Sequence, residues 1–202
     1  RRCLRDRIDL QFVSPFPEVF PGKKVARLIA PLLDAQGIRV TTDFTVQEMS
    51  PGTVRAHDGR EVRCELAVLV PPHRVTPAIE AAGLAPEGWV PVDPRTLRVT
   101  GQPRIFALGD TTDLPIPKTG AVAHFQAPTV GAGILRDLRR AGRARPYTGQ
   151  VLCLIETGGG RATVMRFDYD TPGHPSPPTR LVHWAKALLN RLYWATIPSG
   201  RV

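Results

Sequence analysis

Apolar residues along this chain switch between two periods, and each switch marks an element. Ile8 to Val13 is a short, partly β-branched apolar run closed by Ser14 and Pro15, the pattern of a strand. From Lys23 to Gln36 the period lengthens. Val25, Leu28, Ile29, Leu32 and Leu33 fall at helical spacing and Gly37 ends the run. Pro31 within it predicts a kink or a late helix start. Ile38–Thr41, Thr45–Met49 and Val54–His57 read as short strands, the last turning at Asp58-Gly59 into Glu61–Cys64. Leu66–Val70 reads as a buried strand stopped by "PPH" at Pro71 to His73. Strand, helix and strand, followed by a meander and another apolar strand, predict an α/β domain with a small antiparallel flap.

The pattern resumes further on. Trp89–Val92 and Leu97–Val99 flank a turn at Asp93-Pro94, and Ile105–Leu108 follows as a strand. A helix is predicted from about Thr119 to Arg140. The basic, polar stretch "RRAGRARPYTGQ" then reads as a boundary. Val151–Glu156 and Arg161–Tyr169 should pair across "TGGG" as a hairpin. A breaker-rich stretch, Thr171 to Pro178, leads into a last helix, Thr179–Ala195. No internal repeat is visible.

Composition narrows the class. The chain has 202 residues, 42% of them hydrophobic and 22% charged, enough to bury a core, and 21 prolines with 18 glycines predict long loops. Its formal net charge of +9 suits an anionic cofactor, membrane surface or nucleic acid. No aromatic-basic interleaving of the RNA-binding kind is present, which sets nucleic acid aside. Cys3, Cys64 and Cys153 are too far apart and too few for a structural metal site or a secreted disulfide scaffold, so no metal is expected. No run approaches the ~20 apolar residues of a membrane span. The chain opens "RRCLRDRIDLQFV" without a methionine, and it reads as the later part of a longer protein.

Candidate chemistry concentrates in "RIFALGDTTDLPIPKTGAVAHFQA", Arg104 to Ala127. An apolar strand ends at Gly109-Asp110, and Lys118, Thr119 and Gly120 open the next helix. In doubly wound sheets ligands gather outside the carboxyl ends of strands. A carboxylate there accepts hydrogen bonds from sugar or ribityl hydroxyls, and a helix mouth favours electron density on a ligand's carbonyl edge. From spacing alone, a helix-capping Asp110 and a solvated Lys118 are equally open readings.

That segment resembles the signature of FAD-dependent pyridine nucleotide-disulfide oxidoreductases, most of all their sulfide:quinone oxidoreductase and flavocytochrome sulfide dehydrogenase branch. "LAVLVPPHRV", "GWVPVDPRTLRVTGQPRIFALGD" and "YTGQVLCLIETGGG" extend the resemblance over most of residues 8–195. It implies a partial α/β, FAD/NAD(P)-binding Rossmann-like fold of the two-dinucleotide-binding-domain kind, with a C-terminal hairpin and amphipathic helix. Residues 1–95 would form a middle, NAD-like domain incomplete at its N-terminus. Residues 96–140 would be the returning part of the FAD-binding domain, and 141–202 a C-terminal redox-cysteine hairpin with the membrane and quinone region. It also implies FAD as cofactor, held in part by Gly109, Asp110, Lys118, Thr119 and Gly120.

Cys153 reads from its neighbours as a small apolar strand residue. By resemblance it is one of two sulfur-handling cysteines beside the flavin, holding a persulfide while electrons pass to FAD. Its partner cysteine and the G-x-G-x-x-G loop that cradles the FAD pyrophosphate are not in this chain, so the fragment alone is expected to be inactive. The implied reaction takes electrons from sulfide, or another small donor, to a membrane quinone. Alternatives are a type II NADH:quinone oxidoreductase-like flavoprotein or a non-catalytic truncated fragment. The strand Ile8–Val13 ends in Ser14-Pro15-Phe16 rather than the ribose-binding acid usual in nicotinamide domains, which favours sulfide. His124, whose helix follows the flavin-side lysine, is a candidate proton carrier near a quinone.

The terminal helix carries the last expectation. Leu181, Trp184, Ala185, Leu188, Leu189 and Leu192 share one face, and Arg180, His183, Lys186, Asn190 and Arg191 the other. Trp184, Tyr193 and Trp194 add aromatics of the membrane-interface kind. Such a helix either docks on the protein's own core or lies on a bilayer, which predicts a peripheral membrane protein at the cytoplasmic face. Homo-oligomers are compatible with the sequence.

Overall fold

The computed structural model describes residues 7–139 and 145–196. The chain forms two compact units. One runs to Pro71 and includes Thr157–Arg161; the other comprises Pro72–Glu156 and the chain from Ala162 onward. Cys3 lies outside the described residues.

In the first unit, β1 (Gln11–Val13) pairs in parallel with β2 (Arg39–Thr41), and helix α1 (Lys23–Ala35) connects them. The expected strand–helix–strand unit is present. Pro31 lies inside α1, so the helix neither starts late nor ends there. The end of β1 closes on itself: buried Ser14 donates its hydroxyl to the Glu18 carbonyl (2.9 Å) and its N–H to the Thr41 carbonyl (2.9 Å). β3 (Val46–Ser50), β4 (Thr53–Ala56) and β5 (Glu61–Arg63) form the antiparallel flap. Its tight turn has Gly59 at φ 84°, and the Asp58 carboxylate accepts from the Arg60 backbone N–H (3.0 Å), which holds the Asp58 pKa below its ordinary value. Phe44, Val54 and Ala56 make the core here, with Val13, Val46, Val62, Cys64 and Ala67 against it.

Leu66–Val70 departs from the sequence expectation. The segment is extended but has no ladder partner among the described residues, and Leu66 and Val68 are 81% and 91% exposed. Only Ala67 reaches the Phe44 cluster. An apolar run records a capacity for burial, and among the described residues of this unit little covers Leu66, Val68 and Val70.

The second unit begins with a short helix, α2 (Pro77–Ala81), opened by Pro77 in its first turn. β6 (Arg98–Val99) and β7 (Gln102–Phe106) pair antiparallel, and Val90 bridges Thr112. Between Val92 and β6, Asp93 accepts from the N–H groups of Arg95 (3.1 Å) and Thr96 (2.7 Å) and from the Thr96 hydroxyl (2.7 Å). Those bonds, the hydroxyl's first, hold its carboxyl below the ordinary range. Val90, Val92, Leu97, Val99, Leu114, Val130 and Tyr147 form the core. Helix α3 (Gly120–Asp137) lies on it through Val122, Gln126, Thr129, Val130 and Gly133. β8 (Val151–Gly158), β9 (Arg161–Phe167) and β10 (His174–Pro175) form a sheet in the order β10–β9–β8, which includes the predicted hairpin. Helix α4 (Arg180–Thr196) ends the described chain and buries no residue.

Candidate functional site

β7 delivers the chain to a short 3-10 turn, Gly109–Thr111, and the loop after it returns to open α3. The sequence determines why the chain bends here. Gly109 has φ 74°, and a Cβ on it would stand 3.2 Å from the Ala123 Cβ of α3. Thr112 donates its hydroxyl to the Gly109 carbonyl (2.9 Å) and is itself buried. Val90 N–H to Thr111 O (2.9 Å), Asp113 N–H to Val90 O (3.1 Å) and Val92 N–H to Asp113 Oδ1 (3.2 Å) pin the loop to the neighbouring strand.

The turn leaves Asp110 exposed at the strand end, near enough for its charge to act on Lys118. Thr119 caps α3, its Oγ1 accepting from the Val122 N–H (3.3 Å). The N–H groups of Gly120 and Ala121, in the first turn, have no acceptor within the helix. Thr111 Oγ1 is buried without a hydrogen-bond partner. An exposed acidic residue and helix-start N–H groups without an acceptor in the helix suit a ligand that carries hydroxyls and an electron-rich edge.

Lys118 behaves differently from its neighbours. Its ammonium donates to the Thr112 carbonyl (2.6 Å) and sits 4.1 Å from the centre of the Trp89 ring. Burial lowers its pKa, while Asp110 and Asp113 pull the other way. Gly109, Asp110, Lys118, Thr119 and Gly120 therefore converge on one turn and helix mouth, with Lys118 folded back to brace the loop. Cys153 lies elsewhere, on β8. It is half-buried, shares no hydrogen bond with that group among the described residues, and burial raises its thiol pKa. His124 is exposed on α3 and, with Phe125, Thr129, Arg145 and Tyr147, lines a cleft of about 250 Å³.

One residue of the site was not singled out from the sequence. Gln126 is fully buried, and its Oε1 accepts from the Gly109 N–H at 2.6 Å, so α3 fastens the turn directly. Its Nε2 is buried without a hydrogen-bond partner, while the Tyr147 hydroxyl donates to the Gln150 carbonyl (2.8 Å). The signal was present: Gln126 is a large polar residue in the stripe Val122, Thr129, Val130 and Gly133. Among the described residues no group of three or more His, Cys, Asp or Glu could hold a metal ion, and no helix is long and apolar enough to cross a membrane.

No family model matches the chain. Among curated proteins it is 26% identical to the mitochondrial sulfide:quinone oxidoreductase of Dictyostelium discoideum, over 82% of this chain and 38% of that protein. It is 24% identical to the mitochondrial sulfide:quinone oxidoreductase of Mus musculus, over 82% of this chain and 39% of that protein. The chain thus spans about two fifths of the length of these relatives. Among solved structures, the sulfide:quinone oxidoreductase of Aquifex aeolicus superposes with a TM-score of 0.85 at 19% identity, covering 98% of this chain and 52% of that one. The chain is similar in sequence to sulfide:quinone oxidoreductases, and its fold is the partial Rossmann-like α/β fold of the FAD/NAD-binding oxidoreductases.

Proposed function

We propose that this chain forms part of a flavoprotein oxidoreductase that passes electrons from sulfide, through a cysteine pair and FAD, to a membrane quinone. The observation that carries the reading is the turn at Gly109–Gly120. It combines a strand-end carboxylate, a glycine turn packed against the next helix and an open helix mouth on a chain similar to sulfide:quinone oxidoreductases. FAD, when bound, supplies two-electron acceptance. Asp110 would accept the ribityl hydroxyls, the Gly120 and Ala121 N–H groups would face the ring's carbonyl edge, and Lys118 would hold the loop in shape. Cys153 would belong to the cysteine pair, whose disulfide sulfide would open to leave a persulfide on one sulfur and a thiolate on the other. The end of β1, tied up by Ser14 and without an acid, supports sulfide over a nicotinamide donor.

Residues 1–95 act in this reading as the middle domain, 96–140 as the returning FAD domain, and 141–202 as the cysteine hairpin with a membrane and quinone region. Helix α4 would rest on the bilayer that holds the quinone, its exposed leucines and tryptophans in the lipid and its basic residues among headgroups.

One paired experiment on the full-length protein tests this. Asp110→Ala should lower the flavin absorbance retained per polypeptide by several-fold. Cys153→Ser should keep the flavin and abolish its bleaching by sulfide. Full flavin content in the first variant removes Asp110 from the site, and normal bleaching in the second removes Cys153.

A further inference from the structure

Helix α4 docks with the side opposite to the one its composition suggests. Its half-buried residues are Val182, His183, Lys186, Ala187 and, at its end, Thr196, whereas Leu181, Trp184 and Leu188 are 79%, 69% and 57% exposed. A helix free to roll in water would turn that leucine arc inward, because burial of apolar surface is the stronger drive. Two features oppose the roll. Thr179 and Ala162 exchange backbone hydrogen bonds (2.9 and 3.0 Å), and the Thr179 hydroxyl caps the helix, which fixes its start. Farther along, one carboxylate on β8 grips the polar face: Glu156 Oε2 stands 2.9 Å from His183 Nδ1, and Oε1 stands 3.8 Å from Lys186 Nζ. The first feature sets where the helix begins. The second bears on which way it faces.

We infer that Glu156 is a positioning residue that holds α4 at the rotation presenting its apolar arc outward to an anionic lipid surface. This rests on the reading of α4 as a lipid-facing helix. Charge favours that occupant: Arg180 and Arg191 are exposed on the same helix, Trp184 sits beside the leucines, exposed Tyr193 and Trp194 follow near the helix end, and the whole chain carries +9. His183 and Lys186 point back to Glu156 and so leave the outer arc without a buried charge to desolvate.

The test is flotation of the full-length protein with phosphatidylcholine–phosphatidylglycerol vesicles. The wild type is compared with E156A, with H183A/K186A and with L188E/L192E. Wild type should float and L188E/L192E should not. E156A and H183A/K186A should each need roughly two to five times more lipid, with helical circular dichroism unchanged. Without lipid, iodide should quench the Trp184 contribution, taken as the difference from the same protein carrying Trp184→Phe, less in E156A than in the parent, because the arc has rolled inward. Loss of flotation in L188E/L192E with wild-type flotation and quenching in E156A overturns the role of Glu156 while leaving the lipid reading intact. A wild type that does not float overturns both.

Discussion

Helices α3 and α4 are of similar length and both carry an apolar stripe, yet one is embedded and the other lies bare. The embedded stripe is the less oily. α3 buries Val122, Gln126, Thr129, Val130 and Gly133, while α4 exposes Leu181, Trp184, Leu188, Leu189 and Leu192. What separates them is approach distance. Gly133 lets the Phe106 ring come so near that a Cβ would stand 2.6 Å from it, and Gly109 admits Ala123 in the same way. α4 has no comparable notch and instead meets its sheet through Glu156, His183 and Lys186. Small residues and one buried amide oxygen bonded to the Gly109 N–H seat a helix on this protein; leucines mark the side left open.

The sharpest break of that comparison is Gly133→Val. The branched side chain would overlap Phe106, and overpacking of this kind costs about 1–3 kcal/mol or more. Thermal unfolding should show the midpoint falling by several degrees, and an unchanged midpoint would mean that α3 is not seated by close approach. Gln126→Leu comes next. It strips the acceptor from the buried Gly109 N–H, a loss of about 1–3 kcal/mol that denaturant titration can measure.

The embedded side also carries a pH signature. Burial, followed by each phenol's anionic or phenolic neighbours, pushes Tyr147 and Tyr169 up to about 12 from 10.0. The fold therefore favours the neutral phenols. Their contribution is complete below pH 10 and is lost as pH rises from 10 towards about 12. Tyr147→Phe should flatten that alkaline decline in a stability-against-pH series. The smallest effect is expected on α4. Leu188→Ser should change stability by no more than about 0.5 kcal/mol, since the residue is already 57% exposed. A larger loss in chemical unfolding would show the bare arc to be packed in solution.

Much of the scaffold was readable from period and punctuation. Gly37 ends α1 one turn-residue after Gln36, Asp58-Gly59 makes the flap's turn, and the three glycines Gly158–Gly160 all take positive φ between β8 and β9. These are local effects, set by residues a few positions apart. The turn at Gly109–Asp110 was equally legible, because a strand ending in glycine and acid has few ways to continue. The inward fold of Lys118 was not legible, since it depends on Trp89, far away in sequence, being placed beneath it. Gln126 was missed for a similar reason: its partner is the N–H of a turn on another element. Period showed that α4 has two faces but could not show which one docks, because that choice lies with Glu156 on a different strand.

Leu66–Val70 has a consequence for the chain's behaviour in concentrated solution. "LAVLV" is extended, free of charge and largely exposed, the attributes of a segment that templates intermolecular β-pairing. Its flanks carry the countermeasure. Arg63 and Glu65 place charge just before it, and Pro71-Pro72 follow at once with no N–H to offer a growing ladder. These residues act as gatekeepers, confining any such pairing to five residues, too short a zipper to outlast the folded units on either side.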